Sequence, residues 1–209
     1  WANQKLGKGQ RIARLELRQD LPKSDIGKVL KRELLYLPVF GWALGLGGFA
    51  TADLVDLGIN AIEFMPVMEF ENNDSWGYNP SFHMALDKYY GTPEKFKELI
   101  DSCHARGMAV ILDIVLNHAF GQSPMVELYW DGANNRPAAN SPWFNPVPKH
   151  DFNVGYDYNH ESPATRAYMH RVVKYWLEEY NVDGYRFDLS KGFTQNNTLG
   201  DVGAWGAYD

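Results

Sequence analysis

The chain has 209 residues, of which 45% are hydrophobic and 22% charged, as is ordinary for a globular protein. Its formal net charge of -6 argues against a nucleic-acid partner and suits a neutral ligand. Cys103 is the one cysteine, which excludes an internal disulfide framework. The opening residues lack the order of a signal peptide. The compartment stays open, with an extracytoplasmic one slightly favoured, and so does the oligomeric state.

Residues 1 to 50 form a leader of uncertain origin. Its stretch over residues 21 to 28 resembles the C-terminal lysine motif of acyl-adenylate-forming ligases, in which the lysine matching Lys28 orients a carboxylate. Residues 35 to 44 faintly resemble a segment of membrane lysophospholipid acyltransferases. The remaining motifs of both families are missing, so we interpret the leader as having no chemistry of its own. Pro38 and four glycines interrupt its uncharged run, so no membrane partner is expected.

Signals for strand and helix alternate after Thr51. The spacing predicts the end of a helix over residues 52 to 57, stopped by Gly58, and then a strand over residues 61 to 66. Thr92-Pro93-Glu94 places a capping hydroxyl, a proline and an acid in the order that begins a helix. Apolar residues then recur at helical spacing and predict one buried face, on which the cysteine lies as an inert thiol.

Two more strands and a second helix follow. Residues 109 to 115 are apolar almost throughout, as in a strand covered on both faces. Ser162-Pro163 begins a helix, and residues 184 to 188 alternate as a short strand does. The predicted buried stripe of this helix comprises Tyr168, Met169, Val172, Val173, Trp176, Leu177 and Tyr180. The order β-α-β-α-β predicts an α/β fold with a parallel sheet and right-handed crossovers.

Residues 119 to 160 interrupt this alternation. They contain five prolines and show no sustained periodicity. A loop excursion of this length is uncommon unless it is functional.

Polar groups follow the predicted strands at their carboxyl ends. Arg186 and Asp188 are two residues apart, so on a strand they point the same way. A guanidinium beside a carboxylate favours the ionised carboxylate. Such an aspartate serves as a nucleophile, as a metal ligand or as half of a structural ion pair, and the spacing alone leaves the three open. Asn117-His118 ends the strand before it, and Trp76-Gly77-Tyr78-Asn79-Pro80 follows the first.

These three pieces, D-I-V-L-N-H, G-Y-R-F-D-L-S-K and W-G-Y-N-P, resemble the motifs of the alpha-amylase family (glycoside hydrolase family 13) in content and order. The resemblance covers about residues 52 to 209. It implies a partial (β/α)8 TIM barrel holding strands two to four, with the excursion after the third lying over the active cleft. It also implies a retaining enzyme that cleaves α-glucosidic bonds in starch-like or glycogen-like glucans.

The resemblance assigns roles to six residues. Asp188 is the expected nucleophile, and Arg186 is expected to hold it ionised. Tyr78, His118 and Lys191 are expected to contact the substrate, with the Tyr78 ring stacking on a sugar. Asp113 is expected to brace the site from within its strand.

A calcium ion is a further expectation from the resemblance. Asn117 matches a residue that gives its amide oxygen to calcium in many members, and Asp157 lies roughly where a further acidic ligand is placed. Gly192 stands where the family commonly has a histidine. The backbone carbonyl that would bind calcium survives this change, but the side-chain contact with substrate does not.

The family's acid/base glutamate follows the fifth barrel strand, and the printed sequence ends shortly after the fourth. We therefore expect the N-terminal half of a catalytic barrel over residues 51 to 209, inactive by itself. Three alternatives stay open. The first is a 1,4-α-glucan branching enzyme, which transfers the glycosyl group to a sugar hydroxyl instead of water. The second is a non-catalytic carbohydrate-binding relic, and the third is an acyl-adenylate ligase tail formed by the leader.

Overall fold

A computed structural model of the protein describes residues 51, 54–73, 75–150, 153–193 and 195. The predictions made on the leader lie outside the described residues. In chain order the elements are β1 (Ala61–Phe64), β2 (Met68–Phe70), β3 (Pro80–Leu86), α1 (Pro93–His104), β4 (Ala109–Ile114), β5 (His118–Ala119), α2 (Pro124–Glu127), β6 (Trp130–Asp131), β7 (Arg136–Pro137), β8 (Tyr156–Asp157), α3 (Pro163–Tyr180) and β9 (Gly184–Phe187). Short 3-10 turns lie at Glu71–Asn73 and Ser190–Phe193.

A three-stranded parallel sheet in the order β1-β4-β9 is the centre of the fold. Strand β4 lies in the middle and is mostly buried, which confirms the prediction made from its apolar run. The register sets Asp113 of β4 beside Arg186 of β9. Because parallel strands present their carboxyl ends at one edge, the polar groups that follow them come together there.

The predicted strand ends shift by one or two residues. Strand β1 stops at Phe64 rather than at residue 66, where Pro66 has no N–H to donate to a ladder. Strand β4 stops at Ile114 rather than at residue 115. Asp188 is one residue beyond β9, although its N–H still donates to the carbonyl of Ile114 at 3.0 Å.

The two predicted helices begin at their cap signals. Thr92 Oγ1 accepts the N–H of Lys95 at 3.4 Å, and α1 begins at Pro93. Helix α3 begins at Pro163, although the Ser162 hydroxyl donates to the carbonyl of Pro142 at 2.6 Å instead of capping. Cys103 is fully buried on α1, and burial raises the pKa of its thiol to about 11, as suits an inert thiol.

Aromatic contacts join the helices to the sheet. The Phe96 ring of α1 lies 5.8 Å from the Phe64 ring and 5.5 Å from the Tyr180 ring, between centroids. Trp176 Nε1 donates to the carbonyl of His83 at 2.9 Å and so ties α3 to β3. Leu177 is 42% exposed, so its predicted place in the buried stripe is wrong. It is adjacent in sequence to the fully buried Trp176, and consecutive helical residues face different sides.

Strands β2 and β3 form an antiparallel pair with an irregular register. The sequence pattern does not predict this pair, because β3 inverts the usual alternation. Ser81 and His83 are buried, whereas Phe82 is 42% exposed. Burial lowers the pKa of His83 to about 4, so its imidazole is neutral inside the fold.

The excursion over residues 119 to 160 contains only short elements within its described part. Strands β6 and β7 pair with each other, and β5 pairs with β8 where the excursion leaves and rejoins the sheet. The division of the chain into a leader, a barrel segment and this excursion stays a prediction. Among the described residues, no helix has the length and apolar character to cross a membrane.

Candidate active site

One guanidinium holds two carboxylates at the carboxyl edge of the sheet. Arg186 Nη1 lies 2.9 Å from both oxygens of Asp113 and donates to Asp188 Oδ1 at 2.6 Å. Asp113 is only 4% exposed, whereas the Asp188 side chain is 21% exposed. Arg186 of β9 therefore links Asp188, one residue beyond that strand, to the buried acid of β4. The acid with more solvent access is the one expected to react.

A glycine turn brings Tyr78 to the same cluster. Gly77 has φ +88, and a Cβ there would lie 2.4 Å from the carbonyl oxygen of Pro66, so only glycine fits. Beyond this turn the Tyr78 hydroxyl donates to Asp113 Oδ2 at 2.7 Å. The ring thus lies beside the two carboxylates, and its hydroxyl has a protein partner that the sequence pattern does not reveal.

Burial governs the protonation of these groups. It raises the pKa of Asp113, although hydrogen bonds from Tyr78 and Arg186 oppose the shift. Burial, together with the hydrogen bond to Asp113, also raises the pKa of Tyr78, so the hydroxyl stays protonated and donates. Burial acts to lower the pKa of Arg186, but the hydrogen bonds to its two carboxylates raise it overall. The guanidinium therefore stays charged.

The Asp188 carboxylate is fixed from two sides. Its backbone N–H is held by β4, as described above, and its side chain is held by Arg186. The next residue, Leu189, has φ 43, a left-handed conformation that turns the chain away from the strand direction. Strand, turn and ion pair together place this acid where a ligand could reach it.

His118 and Lys191 lie near this cluster in different settings. His118 is buried, and its Nε2 lies 2.8 Å from the carbonyl oxygen of Tyr78 while Nδ1 contacts Asn117 Oδ1. Burial lowers the pKa of His118, so its ring is neutral at pH 7. Lys191 is half-buried on the turn after Asp188. Substrate contacts by both side chains stay predictions, and for His118 one of its protein contacts would have to be exchanged for a sugar.

The residues predicted to bind calcium do not form a calcium site as arranged. Asp157 is buried, and its carboxylate contacts Asn145 Nδ2 at 2.8 Å, the N–H of Lys149 at 3.2 Å and His150 Nε2 at 3.2 Å. The Asn117 amide is engaged with His118 and with the carbonyl of Leu189. Calcium needs six to eight oxygens, and N–H donors occupy the lone pairs that it would use.

Gly192 packs closely against the Asn117 amide. A Cβ at Gly192 would lie 2.8 Å from Asn117 Nδ2, so the amide fills the space in which a longer side chain would begin. Across the part of the chain that the structure describes, no three His, Cys, Asp or Glu side chains are grouped to hold a metal. Calcium binding by Asn117 and Asp157 stays a prediction, and no chemical step is derived from it.

The sequence analysis predicts neither the partners of Asp157 nor the hydrogen bond from the Tyr78 hydroxyl to Asp113. Asn145 and His150 lie in the excursion without a regular pattern, and Asp113 is 35 residues from Tyr78. Only the tertiary fold brings these groups together, so no local signal could have found them.

Comparison with known proteins decides the family. Residues 53–154 match the family model described as alpha amylase, catalytic domain. The chain belongs to the alpha-amylase family. The matched residues include Tyr78, Asp113 and His118, whereas Arg186 and Asp188 follow them in the sequence.

Relatives of several activities share this segment. The chain is 36% identical over 135 residues to the 1,4-alpha-glucan-branching enzyme of Felis catus, covering 64% of the chain and 18% of that enzyme. It is 32% identical over 146 residues to the malto-oligosyltrehalose trehalohydrolase of Saccharolobus solfataricus, covering 69% of the chain and 24% of that protein. The chain therefore spans about a fifth to a quarter of the length of these curated relatives.

A solved structure has the same local fold. The alpha-amylase of Geobacillus thermoleovorans, complexed with acarbose, superposes with a TM-score of 0.58 and 25% identity. This match covers 80% of the chain and 37% of the alpha-amylase.

Proposed function

We propose that this alpha-amylase family chain forms part of the catalytic domain of a retaining enzyme that acts on α-glucosidic bonds in starch-like or glycogen-like glucans. The observation that carries the proposal is the Arg186 guanidinium held between the buried Asp113 and the more exposed Asp188. An ionised carboxylate in a fixed position at a strand end is what attack on a sugar requires.

In the proposed mechanism Asp188 attacks the anomeric carbon and forms a covalent glycosyl intermediate. The bond to the leaving oxygen breaks as a second carboxyl group protonates that oxygen. Water, deprotonated by the same group, then releases the sugar with retention. Arg186 stabilises the carboxylate before attack, and the Tyr78 ring packs against the sugar at the cleavage point.

The second carboxyl group is proposed to come from outside the described residues. Four of the described glutamates form salt bridges away from this cluster: Glu69 with Lys88, Glu98 with Lys95, Glu178 with Lys174 and Glu179 with Lys97. Retaining enzymes hold their two carboxyl groups about 5 Å apart.

We assign the three parallel strands to positions two, three and four of a (β/α)8 barrel, with the excursion after the third. The strand order β1-β4-β9 follows the order of the chain, as it does around such a barrel. The polar cluster lies after the strands' carboxyl ends, where barrel enzymes hold their active sites.

A branching enzyme is the second candidate, and a specific observation favours it. The Felis catus relative that is 36% identical is a 1,4-alpha-glucan-branching enzyme. Both candidates share the glycosyl intermediate on Asp188 and differ in the acceptor. Analysis of products from amylose separates them, because hydrolysis creates new reducing ends and branching creates none.

The test is Asp188→Asn in the full-length protein that carries this chain. We expect nearly complete loss of turnover with glucan binding retained, because the amide fills the same space but cannot form the intermediate. Asp101→Asn, an exposed change on α1, is the matched control and should keep wild-type activity. More than a few per cent of activity in the Asp188→Asn protein would contradict the nucleophile assignment. A wild-type protein that binds glucan without any turnover would indicate the non-catalytic alternative.

A further inference from the structure

An open groove of about 320 Å³ lies on the excursion, lined by Gly121, Val126, Glu127, Trp130 and Tyr156. None of these residues belongs to the Arg186 cluster. The groove volume is at the lower end of the ~300–1,000 Å³ of small-molecule sites. It therefore suits a ligand of about one ring rather than a large cofactor.

Two aromatic rings form a corner at this groove. The Trp130 and Tyr156 rings have centroids 5.4 Å apart and an interplanar angle of 85°. Trp130 is 37% exposed, so part of its ring is available to a ligand. Buried Val126 gives the groove an apolar base. A ring with an apolar face would pack in this corner, as aromatic side chains pack against apolar surfaces.

One acid completes the groove. Glu127 ends α2 and is exposed, and among the described residues its carboxylate makes no hydrogen bond or ion pair. A carboxylate accepts hydrogen bonds from hydroxyl groups and repels anionic ligands. The combination of an aromatic corner with one unpaired acceptor matches a neutral polyhydroxyl ring, which has an apolar face and a hydroxyl edge.

Strand β5 connects the groove to the proposed active site. His118, which contacts the Tyr78 carbonyl, begins this strand, and Gly121 follows it by two residues. Tyr156 pairs with Ala119 across the β5–β8 ribbon. A glucan chain bound at Asp188 could thus be held at a second point on the excursion.

We propose that the Trp130–Tyr156–Glu127 groove binds one glucosyl unit of a long α-glucan. The proposal rests on the proposed function for its ligand class, and it adds a contact specific to long chains. It distinguishes polymeric substrates from small ones, because a short substrate that fills only the Asp188 site leaves the groove empty.

The test uses the full-length protein with Trp130→Ala, Trp130→Phe and Glu127→Gln. Native gels containing soluble amylose measure polymer affinity, and an activated α-maltoside measures turnover of a small substrate. Trp130→Ala should weaken amylose affinity about fivefold, the order expected for losing one aromatic contact, with unchanged turnover of the maltoside. Trp130→Phe should stay within about twofold of wild type, and Glu127→Gln should weaken amylose binding about two- to threefold. Tyr89→Ala, which removes a ring that is 65% exposed outside the groove, is the matched control.

Each remaining outcome overturns one proposal. Amylose affinity equal to wild type in both Trp130→Ala and Glu127→Gln proteins, with glucan turnover intact, would refute the groove alone. Equal loss of polymer binding and maltoside turnover in Trp130→Ala would also refute it, because the residue would then act at the catalytic cluster or on the fold. A wild-type protein that neither binds nor cleaves glucans would instead refute the proposed function.

Discussion

Tyr78 connects the proposed sugar contact to the stability of the site, and its two roles are separable by substitution. Its ring is expected to stack on the sugar, while its hydroxyl donates to Asp113 Oδ2 at 2.7 Å. Tyr78→Phe removes the hydroxyl and keeps the ring, whereas Tyr78→Ala removes both. Comparing the two variants therefore measures the two roles independently.

The structure sets the size of each effect. A hydrogen bond to a charged acceptor contributes about 1.5–3 kcal/mol to the free energy of unfolding. Asp113 keeps both contacts from Arg186, and Tyr78 is only half-buried, so we expect Tyr78→Phe to cost about 1–2 kcal/mol. Tyr78→Ala also loses ring packing. Full burial of such a ring is worth ~3–5 kcal/mol, so this half-buried ring adds about 2 kcal/mol.

The assay combines urea unfolding with binding of maltooligosaccharides to the full-length protein. Tyr78→Phe should lower the urea midpoint yet keep sugar affinity within about twofold, and Tyr78→Ala should weaken affinity about fivefold or more. An Asp113→Asn background is the control, in which Tyr78→Phe should cost about 1 kcal/mol less because the acceptor is uncharged. An equal cost in both backgrounds would refute the hydroxyl–carboxylate pairing. Equal loss of sugar affinity in the two Tyr78 variants would refute stacking.

Three further predictions concern the amino end of the sheet, the proposed calcium ligands and the isolated chain. Burial acts to raise the pKa of Asp183, but hydrogen bonds from the Val110 N–H and from His104 lower this pKa overall. The ionised carboxylate therefore stabilises the fold above the unfolded pKa of ~3.9, and this stabilisation is lost as the pH falls below that value. Asp183→Asn should therefore melt below wild type at pH 7, and the gap should narrow as pH falls below the unfolded pKa of ~3.9; a constant gap would contradict this. If Asn117 and Asp157 bind calcium, the melting temperature should be higher in millimolar calcium than in chelator, and Asp157→Asn should abolish the rise; equal melting temperatures would contradict calcium binding and agree with the N–H donors around Asp157. The 209-residue chain by itself should not turn over an activated α-glucoside, and steady turnover lost in Asp188→Ala would show that it contains its own acid.

Local signals predict the helices and the sheet well. Helices α1 and α3 both begin at a proline, whose fixed φ suits the first helical position, and Thr92 also caps α1. The parallel order follows from the alternation of apolar strands with amphipathic helices. The β2–β3 pair is different, because buried Ser81 and His83 beside exposed Phe82 disguise its inward face. Tertiary contacts such as the Trp176 bond to the His83 carbonyl decide which face is buried, and no local pattern encodes them.

The site residues are predictable from motifs, but their connections are not. The pairing of Arg186 with Asp188 follows from strand periodicity, and the structure has it at 2.6 Å. The ion pair of Arg186 with Asp113 depends on the register between β4 and β9, which local sequence patterns do not encode. The partners of Asp157 depend on how the excursion folds back, so its predicted role as a metal ligand could not include the N–H donors around it.

Register also explains how the proposed nucleophile is held. Arg186 cannot follow Asp188 away from the sheet without leaving Asp113, whose side chain is 4% exposed, as a buried charge with one partner fewer. Removing one partner of a buried ion pair is strongly destabilising, whereas an exposed pair contributes little. The buried contact thus anchors the guanidinium, and the guanidinium in turn anchors the more exposed carboxylate. Because the Asp188 N–H also donates to the carbonyl of Ile114, the position of Asp188 is set by β4 and β9 together rather than by the turn that follows it.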